Sequence, residues 1–334
     1  MTPASGSVTR ADKPRSPISV RAEALVADRR PLAEQGGRDL ADHLADPDAF
    51  VANLRRALER LVDPEYEAGE HRIAPGLGPT LGVRWPLLAA VQRGLREKTR
   101  GERTTQFLFL ADRLYREPEL EFRWLAFGLL ERVVVDDPER AWQLLRRAAR
   151  EAADWITVDA LAHPAGRGIL LEPYRWAELE QLVFSTSRWE RRLVGSTIAT
   201  IPFIDRRRGR DSIVTEHGLP LIASLIGDSE PDVQKALAWA LRSLILVDVE
   251  AVALFCADEA ERAVADDDGS RAWVIRDTLA KLPEQRATAL RSRLAGIRRK
   301  PGAASTSEAS STAARFASGA PHVDLADYPE PPLT

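Results

Sequence analysis

Cysteine and histidine are scarce in this sequence of 334 residues. Cys256 is the only cysteine, which excludes an internal disulfide, an iron–sulfur cluster and structural zinc of the CxxC type. The five histidines show neither HxxxH nor HxH spacing, so a metal site would have to consist mainly of carboxylates. We therefore expect a protein that uses no metal and no other cofactor.

Long apolar runs are also missing. No stretch reaches the roughly 18 to 20 apolar residues that a membrane-spanning helix needs. The first residues, MTPASGSVTRADKPRSP, carry charges but lack the apolar centre of a signal peptide. These patterns favour a cytoplasmic protein that makes no membrane contact.

Strand signals and nucleotide-binding loops are absent as well. The sequence has no alternating apolar pattern typical of a strand, and neither GxGxxG nor GxxxxGK[ST] occurs in it. These absences argue against a βαβ fold and against nucleotide binding through a phosphate loop.

The charge balance is slightly negative. There are 47 basic and 50 acidic residues, a net charge of -3, which argues against a surface that is positive throughout. Arginine supplies most of the positive charge. Arginine binds phosphate in a bidentate manner, although a preference for arginine is also typical of GC-rich genomes.

Helical periodicity is what the sequence does contain. Apolar residues recur at intervals of three and four in segments of about 12 to 18 residues. Asp46-Pro47 is a typical start, with a capping residue followed by proline in the first turn. Paired helices with short turns predict an all-α fold, a HEAT-like helical repeat solenoid whose concave face is the usual binding surface.

Composition divides the chain into four parts. A helix is predicted from Ala153 to about Ala162, followed by a loop around Pro164 to Gly168. The two ends are rich in small and polar residues, which predicts disorder. The predicted parts are a disordered extension over residues 1–45, a helix with a Gly/Pro linker over 46–79, a helical repeat domain over 80–300 and a disordered tail over 301–334.

Two clusters of candidate functional residues lie in the middle of the chain. Trp155 and Asp159 are four residues apart, which puts an aromatic ring and a carboxylate on one helix face. A half-buried tryptophan beside a solvated acid is the alternative interpretation. A second cluster consists of arginines at a helix start, which could contact phosphate or form a solvated face. Its members are Arg188, Arg191 and Arg192.

Two further clusters follow towards the carboxyl end. Lys235, Trp239 and Arg242 share a helix face by their spacing of four and three. Trp239 could instead belong to the core. The segment DRRRGR, with Arg206, Arg207, Arg208 and Arg210, is predicted to be a loop that either forms a solvated turn or grips phosphate.

The order of these motifs is informative. WITVD, SRWERR and QKALAWALR, preceded by GVRWP at Gly82 to Pro86, resemble the HEAT-like DNA alkylation repair family, the AlkD-like alkylpurine DNA glycosylases. The resemblance covers about residues 80 to 298, and QKALAWALR is its most specific part. It implies a concave face that binds duplex DNA.

The resemblance also implies residue roles. Trp155 and Trp239 would contact the deoxyribose of the lesion, Asp159 would stand near the anomeric carbon, and Arg192 would hold a backbone phosphate. Other DNA-contacting residues are assigned by spacing rather than by a family role. These are Arg188, Arg191, Lys235 and Arg242.

The implied activity is that of a monofunctional DNA glycosylase. It would hydrolyse the N-glycosidic bond of cationic N3- or N7-alkylated purines in duplex DNA without a tight base-flipping pocket. We expect a monomer that associates with the nucleoid when bound to DNA. One alternative is a non-catalytic HEAT-type scaffold that binds DNA or protein. Another is a self-protection glycosylase for bulky natural-product adducts.

Overall fold

A computed structural model describes residues 17–74 and 76–319, with side chains for 19–74 and 76–315. Within these ranges the regular structure consists of α-helices and short 3-10 turns, and no strand occurs. Each helix between two described loops is amphipathic or largely buried, as the intervals of three and four predicted. The all-α prediction is therefore confirmed.

Aspartate side chains begin several of the helices. Asp46 accepts a hydrogen bond from the amide of Ala49 at 3.0 Å, and Asp248 accepts one from Ala251 at 2.9 Å. A capping carboxylate satisfies an amide that has no partner within the helix and favours the positive end of the helix dipole. Proline often follows in the first turn, where its missing N–H costs nothing.

The chain divides into two units, Met1–Gly69 with Thr80–Glu102, and Glu70–Pro79 with Arg103–Thr334. The first unit contains α1, α2, most of α3 and α4. These helices span Pro17–Asp39 (α1), Pro47–Glu59 (α2), Pro64–Ile73 (α3) and Trp85–Lys98 (α4). Helices α1 and α4 cross in backbone contact, because a side chain at Gly37 would overlap the Val91 carbonyl and one at Gly94 would overlap that of Glu34.

The predicted disorder of residues 1–45 is wrong from Pro17 onward. Helix α1 and a 3-10 turn at Leu40–His43 occupy this segment, while residues 1–16 lie outside the described range. The apolar pattern of the α1 sequence is weak, because glycine stands at the α1–α4 crossing where a large apolar side chain would otherwise be expected. Only a few apolar groups, among them Ala33 and Leu40, are buried on this helix and its turn.

The second unit contains the remaining helices. They are Thr104–Tyr115 (α5), Leu120–Val133 (α6), Pro138–Glu151 (α7), Trp155–Leu171 (α8), Arg175–Gln181 (α9), Arg188–Ile204 (α10), Ile213–Leu225 (α11), Pro231–Leu244 (α12), Val249–Ala265 (α13), Gly269–Thr278 (α14), Glu284–Arg293 (α15) and Glu308–Gly319 (α16). The even-numbered helices α6 to α14 pack side by side in chain order, each preceded by its odd-numbered partner. This repetition of helix pairs is the predicted HEAT-like helical repeat.

Helices α8, α10 and α12 run parallel to one another. Thr200 Oγ1 on α10 donates to the Ala162 carbonyl on α8 at 3.2 Å, and a Cβ on Gly166 would lie 2.7 Å from the Ile204 side chain. Later residues of α8 therefore contact later residues of α10, as they do only when two helices run parallel. Gly195 likewise faces α12, where a Cβ would lie 2.8 Å from the carbonyl carbon of Ala236.

The predicted loop between Pro164 and Gly168 is wrong. Helix α8 continues through it to Leu171. Proline inside a helix removes one hydrogen bond and usually kinks or ends the helix. Here the helix continues because Gly166 and Gly168 let it pack closely, the first against α10 and the second against the ring of Trp142 on α7.

The predicted disorder of the tail is also wrong for residues 301–319. The Thr306 amide donates to the Gly227 carbonyl at 3.0 Å, and the Thr306 hydroxyl donates to Asp268. Helix α16 then packs against α11 and the turn at Leu182–Phe184. These contacts attach the segment to the repeats. Residues 320–334 lie outside the described range.

Candidate active site

Asp154 sets the start of α8 and with it the positions of two candidate residues. Its carboxylate accepts hydrogen bonds from the amide and the hydroxyl of Thr157, both at 2.7 Å. Trp155 is therefore the first residue of α8, and Asp159 follows one turn later on the same face. Both are half-buried, and the Asp159 side chain is 21% exposed.

Three hydrogen bonds from α10 hold the Asp159 carboxylate. Arg192 donates from Nε to Oδ1 at 3.1 Å and from Nη2 to Oδ2 at 2.8 Å. Ser196 donates from its hydroxyl to Oδ1 at 2.6 Å. A bidentate guanidinium fixes the plane of a carboxylate as well as its position. Asp159 is thus oriented from α10 while one side of it faces solvent.

Arg192 joins three neighbouring helices. Its Nη1 donates to the Asp232 carbonyl on α12 at 2.6 Å, in addition to the two bonds to Asp159 on α8. Only 6% of its side chain is exposed. In this structure the group orients Asp159 rather than facing solvent. Its role as a phosphate ligand stays a prediction.

Trp155 lies beside the ion pair. The guanidinium carbon of Arg192 is 5.8 Å from the centre of the Trp155 ring, within the range of a cation–π contact. The indole nitrogen donates to the Ile73 carbonyl at 3.4 Å. The structure therefore brings together Trp155, Asp159 and Arg192, which are distant in the sequence.

Trp239 lies on the neighbouring helix. It is half-buried on α12, three residues after Ala236, which faces Gly195 on α10. Between the described residues, no hydrogen bond, ion pair or ring contact joins Trp239 to Asp159. The parallel register puts Trp239 about one turn beyond Ser196 along the repeat. Its predicted contact with deoxyribose remains a prediction.

Helix α10 is recessed between two more exposed neighbours. Ser196 and Ala199 on α10 are both 0% exposed. On α8 the solvent-facing stripe consists of Asp159 and His163, and on α12 it consists of Lys235, Trp239 and Arg242. Small, buried residues on α10 therefore lie between the half-buried carboxylate of Asp159 on α8 and the half-buried indole of Trp239 on α12.

The other predicted DNA contacts form ion pairs within the protein. Arg188 lies 3.4 Å from Glu230, and Lys235 lies 3.8 Å from Asp232. Exposed pairs of this kind contribute little stability and exchange easily for other anions. Arg242 pairs with Asp277.

Arg191 is held more firmly. It binds Asp228 at 2.6 Å and donates to the carbonyls of Ser185 and Thr186 at 2.8 and 3.0 Å. Its side chain is 16% exposed, and that of Asp228 is 3% exposed. These contacts fix the loop before α10. The DNA contacts predicted for Arg188, Arg191, Lys235 and Arg242 stay predictions.

Ser196 and Asp154 were not predicted from the sequence as site residues. Ser196 follows Arg192 by four residues, so helical spacing alone puts both on one face of α10. That signal was present in the sequence. The bond from Trp155 to the Ile73 carbonyl had no such signal, because it joins distant segments through a backbone group.

A family model described as DNA alkylation repair enzyme matches residues 54–282, more than half of the chain. The chain belongs to this family. The DNA alkylation repair match runs from α2 to the turn after α14 and includes all the candidate site residues. It confirms the resemblance drawn from the sequence motifs. A comparison with curated proteins finds no match.

Three further properties of this family member concern metal ligands, its cysteine and membrane-spanning helices. No group of three or more metal-ligating side chains occurs within residues 17–74 and 76–319. Burial raises the pKa of the Cys256 thiol to about 12, so this thiol is protonated at neutral pH. In the same described ranges, no helix has the length and apolar character needed to cross a bilayer.

Proposed function

We propose that this DNA alkylation repair enzyme is a monofunctional DNA glycosylase for cationic N3- or N7-alkylated purines in duplex DNA. The observation that carries the proposal is the half-buried Asp159 carboxylate, held by Arg192 and Ser196 and flanked by Trp155. We also propose that the protein acts as a cytoplasmic monomer without a cofactor.

The reaction suits a site with a single carboxylate. Alkylation at N3 or N7 makes the purine positively charged, so the base can leave without being protonated by a general acid. The bond between C1′ and N9 breaks, its electron pair goes to the base, and the base leaves as a neutral molecule. The sugar becomes an oxocarbenium-like cation, which water captures at C1′ with release of a proton.

Asp159 has two tasks in this mechanism. Its negative charge stabilises the sugar cation, and its solvent-facing side can orient the attacking water and accept the proton. The bidentate bond from Arg192 keeps the carboxylate in one orientation, so little reorganisation is needed during the reaction.

The indole rings supply a second source of stabilisation. An aromatic face attracts a cation through its quadrupole, worth roughly 0.5 to 2 kcal/mol per contact. Trp155 stands one turn before Asp159 on α8, and Trp239 is half-buried on α12. We propose that both rings contact the deoxyribose of the lesion.

The open character of the site favours tolerance of large adducts. Asp159 and Trp155 are half-buried, so both keep some exposure to solvent. Recognition would then rest on the sugar and on the charge of the base. Neutral lesions such as uracil would be poor substrates because their bases need protonation to leave.

The test is a single-turnover base-release assay on a duplex containing 7-methylguanine. We expect the wild-type protein to release the base and Asp159→Asn to be about 10²- to 10³-fold slower, as for loss of other preorganised charge-stabilising groups. Asp159→Asn should still bind the duplex. Asp258→Asn, at an exposed position on α13, is the matched control and should act like the wild type.

Two results would contradict the proposal. Duplex binding without base release by the wild-type protein would favour a non-catalytic scaffold. Equal release by the wild type and Asp159→Asn would remove the carboxylate from the mechanism. A parallel assay with a bulky cationic adduct compares housekeeping repair with self-protection, because only the latter requires a preference for the bulky lesion.

A further inference from the structure

A buried face of α10 ends at an exposed aromatic residue. Arg192, Ser196, Ala199 and Phe203 follow one another at intervals of four, three and four, so they share one face of the helix. The first three are buried, whereas Phe203 is 55% exposed. An exposed phenylalanine at the end of this buried helix face suggests contact with a partner.

Three consecutive arginines follow Phe203 immediately after the helix ends. Arg206, Arg207 and Arg208 are all exposed. Within the parts of the chain that the structure describes, none of their guanidinium groups forms a hydrogen bond or an ion pair. Arg188 and Arg191, in contrast, form ion pairs with Glu230 and Asp228. The charge of the Asp205 carboxylate acts on Arg207 and Arg208, but this carboxylate accepts its hydrogen bonds from their backbone amides.

The backbone that carries these arginines is fixed in place. Asp205 Oδ1 accepts hydrogen bonds from the amides of Arg207 and Arg208 at 2.8 and 3.0 Å. The Gly209 amide donates to the Asp205 carbonyl at 2.8 Å, and a side chain at Gly209 would overlap the Ile201 carbonyl. The loop therefore presents its arginines from a defined position.

The position is suitable for a second contact with a duplex. At about 1.5 Å per helical residue, the end of α10 lies about 20 Å from Arg192 along the helix axis. A duplex carries one negative charge per about 1.7 Å of its axis, so DNA engaged at Asp159 has phosphates within that reach. Guanidinium groups bind such phosphates in a bidentate manner.

We propose that Arg206, Arg207 and Arg208 form a second DNA-binding site, which holds backbone phosphates about 20 Å from the lesion sugar. Phe203 lies between the two sites and makes an apolar contact with the same duplex. This proposal rests on the proposed function, because it assumes that duplex DNA is bound with its lesion sugar at Asp159.

The test measures how duplex affinity depends on salt, using full-length protein and an unmodified fluorescent duplex. We expect the triple variant R206A/R207A/R208A to lower the slope of log K against log salt by about 2 to 3, since each lost phosphate contact removes about 0.9. The control R286A/R291A/R293A removes the same charge from α15 and should leave the slope unchanged.

Phe203→Ala separates the apolar contact from the charge contact. It should weaken binding several-fold without changing the salt slope, because no counterion release depends on it. Phe109→Ala, at a 65% exposed position on α5, is the control and should leave affinity unchanged.

Neutral methylphosphonate linkages identify the strand that is held. In a second fluorescent duplex, which carries one 7-methylguanine, placing them in the lesion strand or in the complementary strand should abolish the difference in affinity between wild type and triple variant for one of the two placements. If neither placement does so, the proposal is wrong.

An unchanged slope in the triple variant would also overturn the proposal. A lower unfolding temperature with an unchanged slope would show that the arginines only stabilise the carboxyl end of α10. Base release by the wild type is measured alongside. If the wild type releases base but the slope does not change, this inference fails while the proposed function stands.

Discussion

Replacing Arg192 by methionine should both destabilise the second unit and slow the reaction. Methionine has a similar length but cannot donate the two hydrogen bonds to Asp159 or the one to the Asp232 carbonyl. The Asp159 carboxylate would keep only the bond from Ser196. Arg192→Met therefore isolates the contribution of the guanidinium without opening a large cavity.

The size of the effect follows from burial. Breaking a buried ion pair by removing one partner costs about 3 to 5 kcal/mol. The Arg192 side chain is 6% exposed but that of Asp159 is 21% exposed, so water can partly solvate the remaining carboxylate. We therefore expect the lower end of the range, about 3 kcal/mol in the free energy of unfolding.

Urea unfolding followed by tryptophan fluorescence is a suitable assay. Every tryptophan except Trp85 lies in the second unit, so the signal reports mainly on that unit. Arg286→Met is the matched control, because its partner Glu250 is 63% exposed and such exposed pairs contribute about 0 to 1 kcal/mol.

A double-mutant cycle with Asp159→Asn decides whether the two residues act together. We expect a coupling energy of about 2 kcal/mol, since groups in direct contact commonly couple by 0.5 to 3 kcal/mol. If Arg192→Met costs as much in the Asp159→Asn background as in the wild type, the ion pair does not orient the carboxylate and the reasoning is refuted.

Two other predictions concern stability. Gly195→Leu should lower the unfolding temperature of the second unit, because a Cβ at this position would lie 2.8 Å from the Ala236 carbonyl carbon. Overpacking of this kind costs about 1 to 3 kcal/mol of stability. Gly296→Leu is the control and should have little effect, because the space around Gly296 is open. Burial alone would raise the pKa of Asp63, but the hydrogen bond and charge of Arg84 hold it below its ordinary value. The ionised Asp63 carboxylate therefore stabilises the first unit at neutral pH, and this contribution is lost as the pH falls below about 4. In Arg84→Gln, the free energy of unfolding should decrease less steeply with falling pH in this acidic range.

Helix starts were the most predictable part of the fold. The Asp-Pro pairs at Asp46 and Asp137 begin α2 and α7 as expected, because the cap and the proline act within one turn of each other. The segments that were mispredicted are those whose structure depends on tertiary contacts. Pro164 stays within α8 because neighbouring glycines pack against other helices, and α1 forms because glycines bring it against α4.

The site could be predicted only in part. Helical spacing puts Trp155 and Asp159 on one face, and the structure agrees. The partnership of Asp159 with Arg192 could not be derived from local spacing, since the two residues meet only when α8 and α10 pack in parallel. Arg192 was expected at phosphate, whereas its contacts here are with a carboxylate and a carbonyl group.

The central claim is that Asp159 performs the chemistry of base release. The most direct test is the single-turnover rate of 7-methylguanine release at saturating protein, compared between the wild type and Asp159→Asn. We predict rapid release by the wild type and a loss of about 10²- to 10³-fold in the variant with duplex affinity retained. Equal rates for the two proteins, or no release by either, would contradict the claim.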